Sequence, residues 1–160
     1  MFPGITEGRY QVRLAKNARE TASALRLRHE VFNVELAGET ASGLEFDAYD
    51  FKCRHLIVID QETGLTVGTY RLNTIETARS TRGFYSAKGF CIENLTTDVL
   101  HNGIETGRAC VAKEHRNTKV LFLLWKALIA TSNLAARDIS LAVVRFFHNR
   151  KMSANAPFIS

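Results

Sequence analysis

The chain has 160 residues, which is enough for one domain with a single apolar core and too few for two. Its 46% hydrophobic and 23% charged residues exclude a disordered chain, and its apolar segments are too short to cross a bilayer. The net charge of +5 would suit an anionic partner, but nucleic acid is not expected, because no basic stripe interleaved with aromatics and no helix-turn-helix or zinc-finger spacing is present.

The first elements in chain order are a strand and a helix. The opening segment MFPGITEGRY lacks the basic region and apolar stretch of a secretory signal, so we expect a cytoplasmic protein. Polar and apolar residues alternate from Arg9 to Ala15, which predicts a half-buried strand. Asn17 followed by Glu20 is typical of a capping box. Apolar residues then recur at the spacing of one helix face, namely at Ala22, Leu25, His29, Phe32 and Leu36.

The middle and end of the chain alternate strands with loops and one long helix. Residues 37–51 are rich in Gly, Ser, Thr and acids and are expected to form a loop. The segments HLIVID and LTVGTYRLN flank a turn at 61–64 and predict an antiparallel hairpin in the sheet centre. Short helices and loop are expected at 74–102. GIETGRACVA is predicted as a strand, VLFLLWKALIATSNLAA as a helix whose Trp125 lies in the core, and ISLAVVRFF as a last strand before a tail. This order predicts an α/β fold, with an α+β mixed sheet and helices on its faces.

The cysteines and the charged residues differ in what they indicate. Cys53, Cys91 and Cys110 are odd in number and widely spaced, which favours reduced thiols over a disulfide framework or a zinc site, and no metal site is expected. Seven charged residues stand beside the apolar elements, as in a buried or cleft-lining network: Arg28, Glu45, Asp47, Asp50, Arg71, Glu105 and Arg108.

A second charged group lies where the strand GIETGRACVA gives way to the long helix. Free N–H groups and the dipole of a helix N-terminus attract anions, and Lys113, Arg116 and Lys119 add positive charge at that place. On this loop alone we would favour an ordinary connection with solvated bases.

Six motifs together resemble one family. RLRHEVF, LEFDAYD, CRHLIVID, VGTYRLNT, GFYSAKGF and ETGRACVAKEHRNTKVLFLLW are similar to the ornithine–acyl-carrier-protein N-acyltransferases, which are grouped with haemolysin-like proteins and long-chain N-acyl amino acid synthases. The charged positions also match the acyl-homoserine-lactone autoinducer synthases. The resemblance implies an acetyltransferase-like (GNAT) fold. LLWKAL, VGTYRLNT and the lack of a tryptophan in VFNVELAGE favour the ornithine-type enzymes.

The resemblance implies a reaction and its partners. A (3-hydroxy)fatty acyl group would move from the phosphopantetheine thioester of acyl carrier protein to the α-amino group of ornithine, giving lyso-ornithine lipid. No cofactor would be bound, since acyl-phosphopantetheine on the carrier is the donor substrate, and the loop at 117–119 lacks the glycine-rich pattern that coenzyme A would favour. An amphiphilic product would also suit loose contact with the inner face of the membrane. The open alternatives are an autoinducer or N-acyl amino acid synthase, and an inactive remnant that only binds acyl carrier protein.

The resemblance also implies roles for particular residues. Glu105 is the first candidate and Glu45 the second for the carboxylate that takes a proton from the amine. The substrate side would be formed by Arg28, Asp47, Asp50, Arg71, Arg108 and Phe84. Backbone N–H groups near Cys110 and Val111 would polarise the thioester carbonyl, and the pantetheine phosphate would face Lys113, Arg116, Asn117 and Lys119. The charged residues could instead form a structural network that anchors the loop to the sheet, and this alternative stays open. For Cys110 we prefer a packing function.

The C-terminal segment departs from the family. Residues 1–137 are expected to form the N-terminal and central part of an acyltransferase domain, and 138–160 an atypical segment. Relatives continue with a strand similar to YLFGCCSF. The genetic code permits codons for residues 138–147 that encode a similar strand in another reading frame. Read from the third base of the codon for Asp138, they can encode Tyr-Leu-Phe-Gly-Cys-Cys-Ser-Phe-Phe. We therefore hypothesise a frameshifted, C-terminally truncated member, with a natural short variant as the alternative.

Overall fold

Alternating side chains and sharp turns build an antiparallel sheet. In the computed structural model, which describes residues 2–134, five strands follow one another in the sheet in chain order. They are β1 (Ile5–Glu7), β2 (Tyr10–Leu14), β3 (Arg54–Asp60), β4 (Thr66–Thr74) and β5 (Ile104–Val111). All neighbouring pairs among them run antiparallel, and the predicted hairpin is confirmed as β3 and β4, with β3 in the sheet centre. The fold class is α+β.

The hairpin that opens the chain was only half predicted. β1 has three residues, and two of them are exposed, so its hydrophobic pattern is too short to read from the sequence. Gly8, with φ +58°, turns the chain between β1 and β2, and Gly64, with φ +72°, closes the turn between β3 and β4. A side chain at either position would be strained in this left-handed conformation.

The first helix, α1 (Ala18–His29), begins where the capping residues predicted it. The Asn17 side chain accepts a hydrogen bond from the Glu20 N–H at 3.0 Å. The Glu20 carboxylate reaches back to the N–H of Lys16 and pairs with Arg13. A π-helical turn, Glu30–Glu35, continues the helix.

The predicted apolar face of α1 is only partly right. His29 is buried as predicted, together with Ala24, Leu27 and Arg28. The other predicted members are half-buried or, at Leu36, exposed, so the buried face is turned by about one residue from the predicted one. Hydrophobic periodicity could not find this face, because its largest member is a charged residue that needs partners from another segment.

The long helix α4 (Thr118–Leu134) closes the other side of the sheet. Its Val120, Leu123, Leu124 and Ala127 are buried in one apolar cluster with side chains of β2, β3, β4 and β5. Full burial of each leucine stabilises the fold by about 1.5–3 kcal/mol. Trp125, expected in the core, is instead 51% exposed.

The segment between β4 and β5 is made of short helices, as predicted. It contains α2 (Ile75–Arg79), 3₁₀ turns at Tyr85–Lys88 and Ile92–Asn94, and α3 (Thr97–Asn102). Ala78 and Phe84 are buried there in a small separate cluster. No helix within residues 2–134 is long and apolar enough to cross a membrane. The predicted strand ISLAVVRFF, the tail and the frameshift hypothesis at 138–160 lie outside the described residues.

Candidate active site

An irregularity in the pairing of β4 with β5, the last two strands of the described sheet, opens a cleft. The register shifts between Thr69 and Arg71 on β4, and Arg108 on β5 has φ +51° although it is not a glycine. Non-glycine residues in this region cost free energy and cluster at functional sites. The floor of the cleft is formed by β4 and β5, and the turn that follows Phe84 covers it with Tyr85, Lys88 and Phe90.

Six of the seven predicted charged residues form a closed ring of ion pairs beside this cleft. In order around the ring they are Arg28, Glu45, Arg108, Asp47, Arg71 and Asp50. Arg28 is fully buried, and its guanidinium donates to Asp50 Oδ1 at 2.7 Å and Oδ2 at 3.1 Å. Its Nε donates to Glu45 Oε2 at 2.5 Å, and Nη2 also pairs with that oxygen. Each cation therefore lies between two anions.

The other half of the ring joins the loop at 45–50 to β4 and β5. Arg108 donates to Glu45 Oε1 at 3.0 Å and to Asp47 Oδ2 at 3.3 Å. Arg71 Nη1 donates to Asp47 Oδ1 at 2.7 Å and to Asp50 Oδ1 at 3.2 Å. The ring thus fastens four separate segments to one another, namely α1, the loop at 45–50, β4 and β5, and it is electrically neutral.

The ring keeps the carboxylate of Asp50 ionised although this residue is buried. Burial acts to raise the pKa of Asp50, but the hydrogen bonds and charge of Arg28, helped by the Asp47 N–H and by Arg71, hold it below its ordinary value of 3.8. Burial likewise acts against the charge of Arg108, and Glu45 and Tyr85 raise its pKa all the same. A buried ion with all its partners is tolerated, whereas loss of one partner leaves an uncompensated charge.

Glu105 lies outside the ring and accepts four hydrogen bonds. Its Oε2 accepts from Asn73 Nδ2 at 2.9 Å and from the Tyr85 N–H at 3.0 Å. Its Oε1 accepts from the Ser86 N–H at 2.7 Å and the Ser86 hydroxyl at 2.5 Å. A carboxylate offers about four lone-pair positions, so Glu105 can take a proton only if one of these donors moves or relays it. In this state Glu105 also positions the turn that covers the cleft.

Asn73, beside Glu105 in the cleft wall, has an acceptor without a partner. Its amide N donates to Glu105, which fixes the orientation of the group, and its Oδ1 is buried with no hydrogen-bond partner in the described structure. A buried oxygen of this kind is costly unless something donates to it. An N–H group of a bound substrate would satisfy it.

Two tyrosines form an aromatic wall next to the ring. Tyr49 and Tyr85 meet edge to face, with their ring centroids 5.6 Å apart. The Arg71 guanidinium carbon lies 5.4 Å from the Tyr49 centroid and 5.3 Å from that of Tyr85. Lys88 Nζ is closer, at 4.9 Å and 4.7 Å. Distances below about 6 Å are typical of cation–π attraction.

The predicted phosphate loop is exposed, and two of its side chains already make hydrogen bonds within the protein. Asn117 caps α4, because its Oδ1 accepts from the Val120 N–H at 3.1 Å. Arg116 donates to both carboxylate oxygens of Glu35 and to the Val111 carbonyl. The side chains of Lys113 and Lys119 are exposed. An anion at this loop could pair with the two exposed lysines, but it would compete with Glu35 for Arg116.

Cys110 and Val111 differ in where their N–H groups point. Ala112 donates to the Val67 carbonyl on β4, so by alternation the N–H of Cys110 faces β4 and that of Val111 faces the opposite edge of β5. The Cys110 side chain packs with Leu27 and Val31, and burial raises the pKa of its thiol to about 12. Val111 is therefore the better placed of the two for a carbonyl oxygen, and Cys110 is a packing residue.

The structure brings most of the sequence-predicted site residues together and separates a few. Glu105, Arg71 and Arg108 line the cleft, and the rest of the ring supports them. Phe84, expected on the substrate side, is instead buried among the short helices, and Phe90 is the phenylalanine that lines the cleft near it.

Five residues at the cleft were missed as site residues: Asn73, Ser86, Tyr49, Tyr85 and Lys88. The only sequence signal was their place in three of the family motifs, VGTYRLNT, LEFDAYD and GFYSAKGF.

The fold agrees with a family comparison. The chain matches the family model described as an acetyltransferase (GNAT) domain over residues 27–126, and it therefore belongs to that family. It is similar to proteins named L-ornithine N(alpha)-acyltransferase. That of Agrobacterium fabrum (strain C58) is 38% identical over 132 residues, which cover 74% of this chain and 44% of that protein. That of Rhizobium meliloti (strain 1021) is 36% identical over 129 residues, covering 72% and 43%.

The chain spans about half the length of the curated relatives it matches. Its fold is similar to the solved structure of the AHL synthase LasI, with a TM-score of 0.54 and 16% identity over 78% of this chain and 66% of that one. At this identity the likeness concerns the fold alone. The resemblance to ornithine N-acyltransferases inferred from the motifs is confirmed by these similarities.

Proposed function

We propose that this chain belongs to an N-acyltransferase that moves a (3-hydroxy)fatty acyl group from acyl carrier protein to the α-amino group of ornithine, giving lyso-ornithine lipid. The observation that carries the proposal is the similarity to proteins named L-ornithine N(alpha)-acyltransferase. The family match at 27–126 includes the whole ion ring and Glu105. The cleft at the β4–β5 irregularity is the place we assign to the reaction.

The chemistry requires a neutral amine and a polarised thioester. The amine nitrogen attacks the thioester carbonyl carbon, the new C–N bond forms, and the C–S bond then breaks. Before attack, the α-ammonium of the acceptor must lose a proton, for which Glu105 is the base, either directly or through the Ser86 hydroxyl that donates to it. The second proton of the amine goes to the departing thiolate of the donor.

The carboxylates of the ring serve this reaction indirectly. Glu45, Asp47 and Asp50 each accept from two arginines, so they hold Arg71 and Arg108 in the cleft wall. Those guanidinium groups are the candidates for binding the carboxylate of the amino acid. Glu45, the second candidate for the base, would first have to break its ion pairs with Arg28 and Arg108. Glu105 is therefore the better candidate for the base.

The donor side is proposed at the start of α4. Lys113 and Lys119 are exposed there, the Val111 N–H faces the outer edge of β5, and the chain carries a net charge of +5. An acidic carrier protein would be attracted to such a surface, and its phosphopantetheine arm would reach the cleft along β5. We place the reaction in the cytoplasm, with the amphiphilic product leaving toward the inner face of the membrane.

One experiment tests the function and its alternatives together. The purified protein is incubated with 3-hydroxyacyl-acyl carrier protein and a panel of amines that includes ornithine, other amino acids and S-adenosylmethionine, and the products are weighed by mass spectrometry. Acylated ornithine is expected. An acyl-homoserine lactone would favour an autoinducer synthase. Capture of acyl carrier protein without any acylated amine would contradict the enzyme proposal and favour a protein that only binds the carrier.

Replacement of Glu105 separates a base from a positioning residue. We expect Glu105→Gln to lower kcat by about a hundredfold or more, in the range of lost acid–base catalysis. The loss should fall on kcat, whereas loss of its positioning of the covering turn alone would raise the KM for the acceptor. Ser86→Ala removes the hydroxyl that donates to Glu105 but keeps the backbone N–H donor, so it should lower kcat less than Glu105→Gln does. Full activity of Glu105→Gln would eliminate Glu105 as the base.

A further inference from the structure

The Lys88 ammonium lies against the faces of two tyrosines, at the edge of the cleft that holds Glu105. Its Nζ is 4.9 Å from the Tyr49 centroid and 4.7 Å from the Tyr85 centroid, nearer than either arginine in the same wall. The residue itself is exposed, whereas Tyr49 is buried and contacts Tyr85 edge to face. A surface side chain therefore places its charged end over two aromatic rings that also contact each other.

We infer that Tyr49 and Tyr85 form the subsite for the side-chain ammonium of the acceptor amino acid, and that Lys88 occupies this subsite until the acceptor displaces it. This inference rests on the proposed function and names the feature of the acceptor that the site would select. A primary ammonium on a short alkyl chain, as in ornithine, is the same chemical group as the end of a lysine side chain. The aromatic faces attract either one.

The charges of the cleft support an exchange of one cation for another. Four cations, Arg28, Arg71, Arg108 and Lys88, stand with four carboxylates, Glu45, Asp47, Asp50 and Glu105. When Lys88 turns away to solvent, the remaining set carries one negative charge. An incoming ammonium restores neutrality, whereas a neutral side chain of the same length does not.

Tyr85 connects this subsite to the reacting end of the acceptor. Its backbone N–H donates to Glu105 Oε2 at 3.0 Å, and its ring contacts the Lys88 ammonium. One residue therefore spans the proposed base and the proposed side-chain subsite. An amino acid bound along Tyr85 would present its α-amino group to Glu105 and its side-chain ammonium to the two rings. The unpartnered Asn73 Oδ1 lies beside Glu105, where the α-amino group could donate to it.

Binding measurements test the inference without any need for turnover. Ornithine and norvaline, its neutral analogue of equal chain length, are titrated by calorimetry into the wild type and into Lys88→Gln. We expect Lys88→Gln to bind ornithine roughly three- to tenfold more tightly, because its competitor is gone, and to bind norvaline as the wild type does. Lys52→Gln is the matched control, since Lys52 is an exposed lysine near Tyr49 with no ring contact among the described residues.

The tyrosines are tested by removing the ring or only its hydroxyl. Tyr85→Leu should reduce the preference for ornithine over norvaline about tenfold, and Tyr85→Phe should keep most of it, since the ring remains. Tyr49→Leu should act in the same direction. Phe51→Leu, at an exposed aromatic residue of the neighbouring loop, is the control and should change nothing. Circular dichroism of each variant checks that it is folded.

The outcomes separate this inference from the proposed function. Unchanged or weaker ornithine binding in Lys88→Gln overturns the inference, and equal weakening for ornithine and norvaline would assign Lys88 to the carboxylate that both share. A preference that Tyr85→Leu leaves intact overturns it as well. If the variants behave as expected while no amine is acylated by the wild type, the subsite stands and the proposed acyl transfer fails.

Discussion

The two faces of the sheet are closed by different kinds of interaction. On one face α4 packs Leu123 and Leu124 into a hydrocarbon cluster, which is non-directional and tolerates small shifts. On the other face α1 brings the buried Arg28 into a ring of six ions, in which each hydrogen bond fixes a direction. The first face holds the sheet together. The second fixes the position of a loop and two cleft arginines through directional hydrogen bonds, at the cost of burying charge.

The largest expected effect comes from opening the ring. Arg28→Met removes one cation and leaves the half-buried Glu45 and the buried Asp50 each with a single arginine. We expect the free energy of unfolding to fall by about 3–5 kcal/mol, measured by urea denaturation. Arg26→Met, an exposed neighbour on the same helix, should change it by less than about 0.5 kcal/mol. A loss below about 1 kcal/mol for Arg28→Met would mean that the ring contributes little to the free energy of unfolding.

A cavity in the apolar face should cost nearly as much stability but less function. Leu124→Ala removes a side chain that is 1% exposed, so we expect a loss of about 2–5 kcal/mol. In the cold, where the variant is still folded, its ornithine binding should stay within about twofold of the wild type, whereas that of Arg28→Met should not. Leu121→Ala, on the exposed side of the same helix, is the control. Equal loss of binding in both buried variants would erase the distinction between the two faces.

Acid should weaken the ionic face first, through His55. Burial lowers the pKa of this imidazole below its ordinary value of 6.5, against the opposing charge of Asp50. The unfolded chain then binds a proton at a higher pH than the folded chain does. Stability is full above about pH 6.5 and declines as the pH falls below it, by at most about 1.4 kcal/mol per unit, and the depressed pKa of Asp50 adds a further loss below about pH 3.8.

Urea unfolding at about pH 7.5 and about pH 5.5 measures the slope. His55→Gln should flatten it, and His101→Gln, at an exposed histidine, should leave it as in the wild type. A slope that persists in His55→Gln would place the titrating group elsewhere.

The smallest effect is expected at the surface pair of Glu35 and Arg116. Both side chains are partly exposed, at 30% and 41%, so Glu35→Gln should lower the free energy of unfolding by less than about 1 kcal/mol, and less still in high salt. The variant frees Arg116, so binding of acyl carrier protein should become somewhat tighter. Glu30→Gln, exposed on the same helical segment, is the matched control. A stability loss above about 2 kcal/mol would show that this pair belongs with the buried ring.

The order of elements could be predicted from local patterns. The β-branched runs around the turn at 61–64 predicted the hairpin, and Asn17 with Glu20 predicted the start of α1, because strand periodicity and helix capping are properties of neighbouring residues. The residue types and spacing of the charged set also predicted a network. They did not predict which ions pair, because Glu45 and Arg108 are 63 residues apart and meet only through the fold.

The sequence by itself determined which residues are chemically unusual: three arginines and four carboxylates placed beside apolar strands, in motifs that resemble one family. Tertiary structure alone decided that six of these ions close a ring and that Glu105 stands apart with Asn73 and Ser86. It also decided that Lys88 rests on Tyr49 and Tyr85. The physical reason is that composition and periodicity report burial and charge along the chain, whereas pairing depends on directions and distances of a few ångströms between segments that are far apart in sequence.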